Sequence, residues 1–192
     1  MTTTAAEGIP RRRFTVAELE QMVAAGILLE DERIELIGGE VVPMSPKGNR
    51  HEILKTALNV HWARELPTDL MFTTETTFRL SEDTYLEPDF VFYPKAIGLK
   101  GLTAATARLV VEIADTSLAY DLGRKAGLYA AFGIAELWVI NAVTLQTRVH
   151  RDPTKTGSGS AYRSVTDVHA SQRMVPESVP ALAVVLSELE FY

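Results

Sequence analysis

Three ionisable residues stand where apolar neighbours would normally exclude them: Asp89, Glu112 and Lys125. Asp89 lies in Leu86-Glu87-Pro88-Asp89-Phe90-Val91-Phe92, and Glu112 in Leu109-Val110-Val111-Glu112-Ile113-Ala114. Each segment reads as a short apolar strand with a carboxylate inside it, and a buried, unpaired carboxylate is costly. Two acids on adjacent strands are accounted for when something positive sits between them. A divalent metal is the obvious candidate, because hard cations take carboxylate oxygens. Lys125 follows Glu112 by 13 positions and would complete a set able to hold a metal and a phosphate. The bland alternative is a pair of unrelated acids on partly exposed strands, with a lysine that lays its stem on the core and reaches water.

These residues need elements to place them. Side chains alternate along a strand, so Glu112 points away from Val111 and Ile113. If the two strands are neighbours, Asp89 and Glu112 can share a face. Ser117 to Phe132 reads as a helix ended by Gly133, with Leu122, Lys125, Leu128, Tyr129 and Phe132 on one side. Lys125 is thus expected in the middle of an apolar stripe, on the helix that the Glu112 strand feeds.

Upstream, Thr15 with Glu18 has capping-box spacing and opens a helix that stops near Gly26. Arg33 to Ile37, Gly38-Gly39 and Glu40 to Val42 read as a hairpin. Asn49 to Glu65 is the longest helical pattern. Phe72 to Leu80 reads as one strand, and Arg108 to Ala114 as the central one. Glu136 to Ile140, Thr144 to His150 and Tyr162 to Val168 follow as strands, with Asp152 to Ser160 expected as a mobile loop. Residues 1–13 are expected as a flexible arm and 14–192 as a single domain. The mixture of antiparallel strands and long helices predicts an α/β fold: a mixed β-sheet flanked by helices.

Bulk composition excludes several classes. With 192 residues, 46% hydrophobic and 23% charged, the chain is long enough for a full core without staples. There is no cysteine, so disulfides, a thiol nucleophile and a cysteine zinc site are excluded. No apolar run approaches the ~18 residues of a membrane span, and Arg11-Arg12-Arg13 has no apolar stretch beside it as a secretory signal requires. A cytoplasmic location with no membrane partner is therefore expected. The net charge of −6 argues against a protein that coats DNA generically, since such proteins are basic. The acid is uneven, however: Glu18 to Glu40 holds seven acids against one base, Arg33.

The order Pro-Asp, strand, Glu, then Lys resembles the PD-(D/E)XK nuclease superfamily and, more narrowly, its Uma-two family. The matching pieces are Arg33-Ile34-Glu35-Leu36-Ile37-Gly38-Gly39-Glu40-Val41, Ser45-Pro46 with His51, and Glu87 to Val91. They continue with Leu109 to Ser117, Asp121 to Tyr129, and Gly133 to Ile140. The resemblance covers residues 14–152, and the ordered set of segments is its specific part. It implies a restriction-endonuclease-like sheet and a Mg²⁺-dependent endonuclease acting on phosphodiester bonds of DNA, with Mn²⁺ able to substitute. Asp89 and Glu112 would be the metal ligands. Lys125 would orient the attacking water or stabilise the phosphate. The superfamily's usual lysine position, two after Glu112, holds Ala114. The Uma-two pattern carries the lysine on the next helix instead, so that Lys125 must reach back to the strand. Glu35 matches an acidic family position as a further ligand, with a solvated hairpin acid as the other reading. His51 matches a family position and is read first as a structural, hydrogen-bonded histidine.

Asp115 and Asp121 are expected to cap the Lys125 helix, His61 and His150 to be incidental, and Trp62 and Trp138 to be core. The competing function is a catalytically inert nuclease-like binding or scaffolding protein, and a third is hydrolysis of another phosphate ester. A homodimer is expected, which an exposed apolar segment at Leu182 to Leu186 and a two-fold substrate would both suit.

Overall fold

The computed structural model describes residues 11–156 and 159–191. The first ten positions of the expected N-terminal arm lie outside these. The chain forms two compact units, one within Met1–Ser45 and Arg79–Leu86, the other within Pro46–Phe78 and Glu87–Tyr192.

In the smaller unit, helix α1 (Val16–Ala24) starts at the expected capping box: the Glu18 amide donates to the Thr15 hydroxyl, and the Thr15 amide to the Glu18 carboxylate. Strands β1 (Ile34–Ile37) and β2 (Glu40–Pro43) form the expected hairpin, with Ile37 opposite Glu40. Gly39 has φ +81°, and a Cβ there would meet the Arg13 Cβ at 2.5 Å, so only glycine fits. Val16, Leu19, Ile34, Leu36 and Tyr85 form this unit's core. Its sheet runs β2-β1-β5-β4, with β4 at Phe78–Ser81 and β5 at Thr84–Leu86.

The larger unit is built on helix α2 (Asn49–Glu65) and a six-stranded sheet. Its strands are β3 (Leu70–Thr73), β6 (Phe90–Pro94), β7 (Leu109–Ala114), β8 (Glu136–Asn141), β9 (Thr147–Thr156) and β10 (Gly159–Val168), in spatial order β10-β9-β8-β7-β6-β3. Strand β7 is interior and wholly buried, as its apolar sequence predicts. It pairs antiparallel with β6 and parallel with β8. A parallel neighbour needs a crossover, and the helical run from Leu118 to Ala131 supplies it. That run comprises α3 (Leu118–Tyr120), a π-helical turn (Asp121–Lys125) and α4 (Ala126–Ala131). Leu54, Leu58 and Trp62 of α2 join Phe90, Phe92, Leu109, Val111 and Ile113 in one core cluster, with the Trp62 ring edge-on to Phe90 and Phe92 at 5.0 and 5.1 Å.

Three expectations are corrected. Phe72 to Leu80 is not one strand: β3 and β4 belong to different sheets, and between them Glu75 takes φ +49°. Asp152 to Ser160 is not a loop for most of its length, because β9 and β10 pair along it, Lys155 opposite Ser160. The apolar C-terminal segment is not exposed. Leu182, Val184 and Leu186 are buried in the core, and Met174 bridges to Val184. The premise for a dimer through that segment is therefore gone. Trp62 and Trp138 are core residues, each with a satisfied indole N–H. Among the described residues, no helix is long and apolar enough to cross a membrane.

Candidate active site

Pro88 and Asp89 lie just before β6, not within it. The β6–β7 register pairs Phe90 with Val111. Continued outward, it sets Asp89 opposite Glu112 and Pro88 opposite Ile113. The ladder ends there. The Pro88 carbonyl accepts instead from the Glu75 amide at 3.0 Å. The Ile113 amide is left to the Asp89 side chain, whose Oδ2 accepts from it at 2.7 Å. The Asp89 carboxylate is thereby fixed against the residue next to Glu112, at the end of two neighbouring strands.

The other oxygen of Asp89 faces a lysine and a histidine. Oδ1 accepts from Lys47 Nζ at 2.6 Å and lies 3.0 Å from His51 Nε2. Burial pushes the Asp89 pKa up, but the hydrogen bond and charge of His51, with those of Lys47, outweigh it and hold the group down at about 2. This has a consequence for acid stability. The folded pKa lies below the ordinary 3.8, so the stabilisation is complete above that value and is lost as pH falls through about 2. The shift corresponds to about 2 kcal/mol. Urea unfolding of the wild type between pH 5 and pH 2 is expected to show this loss, and Asp89→Asn to lack it. Equal acid sensitivity in both proteins would contradict the assignment.

Glu112 points to the opposite side of β7 from Val111 and Ile113, toward the crossover helix. Its Oε1 accepts from the Tyr129 hydroxyl at 2.5 Å and lies 3.0 Å from Lys125 Nζ. Both side chains of the Glu112–Lys125 pair are only 5% exposed. Lys125 ends the π-helical turn, a local widening found disproportionately at functional sites. The relocated lysine thus reaches back to the strand. The structure brings Asp89, just before β6, together with His51 of α2, and Glu112 of β7 together with Lys125 of the crossover run.

Glu35 belongs to the smaller unit, on β1 opposite Val42. It is buried, which removes the reading of a solvated hairpin acid. Asp121 is buried and accepts from the Ser117 hydroxyl at 2.5 Å, inside the helical run and not at its cap. Asp115 lies against the start of α2, where a Cβ on Gly48 would meet its Oδ2 at 2.6 Å. His61 contacts the Ala183 carbonyl at 3.2 Å. His150 is buried with its Nε2 unpartnered, and burial first, then the Arg148 charge, lowers its pKa to about 4.

Lys47, Glu75 and Tyr129 are the polar partners that sequence reasoning missed. With Glu52 and Lys55, Lys47 and Glu75 extend the site into a closed ring, while Tyr129 serves Glu112. Lys47 pairs with Glu75, Glu75 Oε1 accepts from Lys55 at 3.0 Å, Lys55 donates to Glu52 at 3.0 Å, and Glu52 lies 3.1 Å from His51 Nδ1. His51 closes the ring on Asp89. Burial raises the Glu75 pKa, but the two lysines bring it below the usual carboxylate value.

Among the described residues, no group of three or more His, Asp or Glu side chains is arranged to hold a metal ion. The donor chemistry of Asp89 and Glu112 nevertheless fits a hard divalent cation. Mg²⁺ is commonly held by one or two carboxylates, with water and substrate phosphate completing its shell. Asp89 is ionised, and in this structure an ammonium stands in as its counter-cation.

A mixed α/β protein with two mostly antiparallel sheets, a proline-aspartate at a strand start and a glutamate on the next strand has the architecture of a nuclease fold. The crystal structure of a "putative nuclease belonging to DUF820 from Anabaena variabilis ATCC 29413" superposes with a TM-score of 0.66. The match covers 91% of this chain and 96% of that one at 12% identity, a likeness of fold alone. The chain belongs to the Uma2 family, described as "Putative restriction endonuclease", whose model matches residues 16–187. No curated protein matches.

Proposed function

We propose that this protein is a metal-dependent endonuclease that hydrolyses phosphodiester bonds of DNA, with Asp89, Glu112 and Lys125 as its catalytic residues. The observation that carries the reading is the buried Lys125–Glu112 pair at 3.0 Å, on the strand beside the ionised Asp89. Burying the three charges of Asp89, Glu112 and Lys125 is expensive as a structural device, and perturbed, buried titratable groups cluster where chemistry is done.

Asp89 and Glu112 would hold Mg²⁺ or Mn²⁺. When bound, such an ion polarises a phosphoryl oxygen and acidifies a bound water. The chain's own residues do the rest. The Ile113 amide fixes the Asp89 carboxylate, and the Tyr129 hydroxyl fixes that of Glu112. Lys125 supplies a desolvated ammonium where negative charge accumulates on the phosphate in the transition state. His51 orients Asp89 through Nε2 while Glu52 holds its Nδ1.

A second reading is favoured by one observation: Asp89 and Glu112 already have ammonium partners within the protein. On that reading the protein is a catalytically inert nuclease-like binding or scaffolding protein. Supercoiled plasmid, linear duplex, single-stranded DNA and RNA, each with Mg²⁺ or Mn²⁺ at low salt, separate the two. Low salt matters because an acidic chain binds polyanions weakly. Cleavage of DNA that chelator abolishes is expected. No turnover on any substrate, with no divalent-ion binding by calorimetry, would leave the inert reading standing.

A further inference from the structure

Lys47 lies in Ser45-Pro46-Lys47-Gly48, immediately before α2, where a lysine would ordinarily extend into water. Its side chain is instead only 13% exposed and its ammonium is clamped between two carboxylates, Asp89 Oδ1 at 2.6 Å and Glu75. The second clamp is a strained one. Glu75 holds φ +49°, in the left-handed region that non-glycine residues rarely occupy, and such strain persists where surrounding contacts over-determine it. Its amide is tied to the Pro88 carbonyl, one residue before Asp89. The same backbone link therefore sets both carboxylates that receive Lys47. The ammonium sits on the oxygen that a cation would use, because Oδ2 is already engaged by the Ile113 amide.

We propose that Lys47 is an exchangeable ligand of this site: it neutralises Asp89 in the cation-free protein, and is displaced when a divalent cation takes that oxygen, then pairing with a phosphate of the anionic substrate. The inference rests on the metal-dependent reading above and adds a substrate-binding residue to it. Charge drives the exchange. A divalent ion at Asp89 repels a neighbouring ammonium, and an incoming phosphate offers it a new counter-ion. Glu75 stays paired with Lys55 when Lys47 leaves, so the departure does not strand a carboxylate.

The consequence is a pair of effects of opposite sign from one substitution. In Lys47→Met, Mn²⁺ binding measured by calorimetry on the full chain is expected to tighten about tenfold, the scale on which groups contacting a metal ligand alter affinity. Affinity for a fluorescent DNA duplex, measured by anisotropy with Ca²⁺ present, is expected to weaken about tenfold, the scale of one charge-assisted hydrogen bond to phosphate. Lys47→Arg keeps the charge and is expected to restore both values toward wild type. Thermal unfolding of each variant checks that the fold is retained, and Lys47→Gln serves in place of the methionine variant if that one fails to fold. Mn²⁺ binding that is unchanged or weaker in the neutral variants overturns this inference while leaving the nuclease reading in place. Absence of Mn²⁺ binding in wild type and variants alike overturns both. Tighter Mn²⁺ binding with unchanged duplex affinity overturns the substrate role of Lys47.

Discussion

Glu112→Gln is expected to cost about 3 kcal/mol of folding stability, the lower end for breaking a buried ion pair from one side. The substitution is nearly isosteric and leaves core volume alone. What it removes is the charge 3.0 Å from Lys125 Nζ, in a pair whose side chains are each 5% exposed. The ammonium then remains desolvated without that carboxylate. Lys125→Met is the complementary test. It leaves Glu112 to the Tyr129 hydroxyl, a neutral donor where a charged one also stood. The double variant is expected to recover most of the loss, because replacing a whole buried pair by less polar groups is often neutral. Urea unfolding of the four proteins forms a double-mutant cycle. Strict additivity of the two single losses would show that the pair is not coupled and would remove the structural basis for assigning Lys125 to the Glu112 strand.

Such a pair also explains why part of the site is legible in the sequence alone. Asp89, Glu112 and Lys125 are each misplaced charges: two in apolar strands, one in an apolar helix stripe. Burial makes a charge expensive, so a charge retained there announces a partner. Lys47 and Glu75 carry no such signal. A lysine in a Ser-Pro-Lys-Gly turn and a glutamate in a threonine-rich stretch are what a solvated surface looks like. Their importance depends on Glu75 adopting φ +49°, which no local preference encodes. Tyr129 is hidden for the opposite reason. A tyrosine in an apolar stripe satisfies the core reading with its ring, and its hydroxyl bond to Glu112 is a tertiary fact.

The fold is legible on the same terms. The capping box at Thr15, the two glycines of the first hairpin, the span of α2 and the helical run into Gly133 all have local chemistry behind them. The errors fall where pairing overrides composition. Thr73 to Thr77 is rich in threonine, a strand former, with no glycine or proline to mark the switch between sheets. Pro153 and the polar residues around it suggest a loop, yet β9 and β10 hold each other there, Pro153 opposite Tyr162. The C-terminal segment has only short helical turns of its own, and its burial against the α2 side of the sheet shows that it completes the core.

Asp89→Asn is expected to abolish metal-dependent cleavage, by about a thousandfold or more, the several kcal/mol that a phosphate-bound metal supplies to a transition state. Asparagine is preferred to alanine for a reason the geometry supplies. The carboxamide oxygen introduced at position 89 can still accept from the Ile113 amide, as Asp89 Oδ2 does at 2.7 Å, so the buried donor is not orphaned. Alanine would leave that amide, Lys47 and His51 all facing an empty position, and lost activity would be confounded with lost structure. Asparagine removes the negative charge that a cation needs and keeps the shape. The expected outcome is therefore an absence of Mn²⁺ binding by calorimetry, an absence of cleavage in Mg²⁺ or Mn²⁺, and a folded protein by circular dichroism. A milder result would also be informative. If Asp89→Asn retained wild-type cleavage, Asp89 would be a structural ladder partner for Ile113 and not a metal ligand, and the catalytic assignment would have to be rebuilt on Glu112 and Lys125 alone.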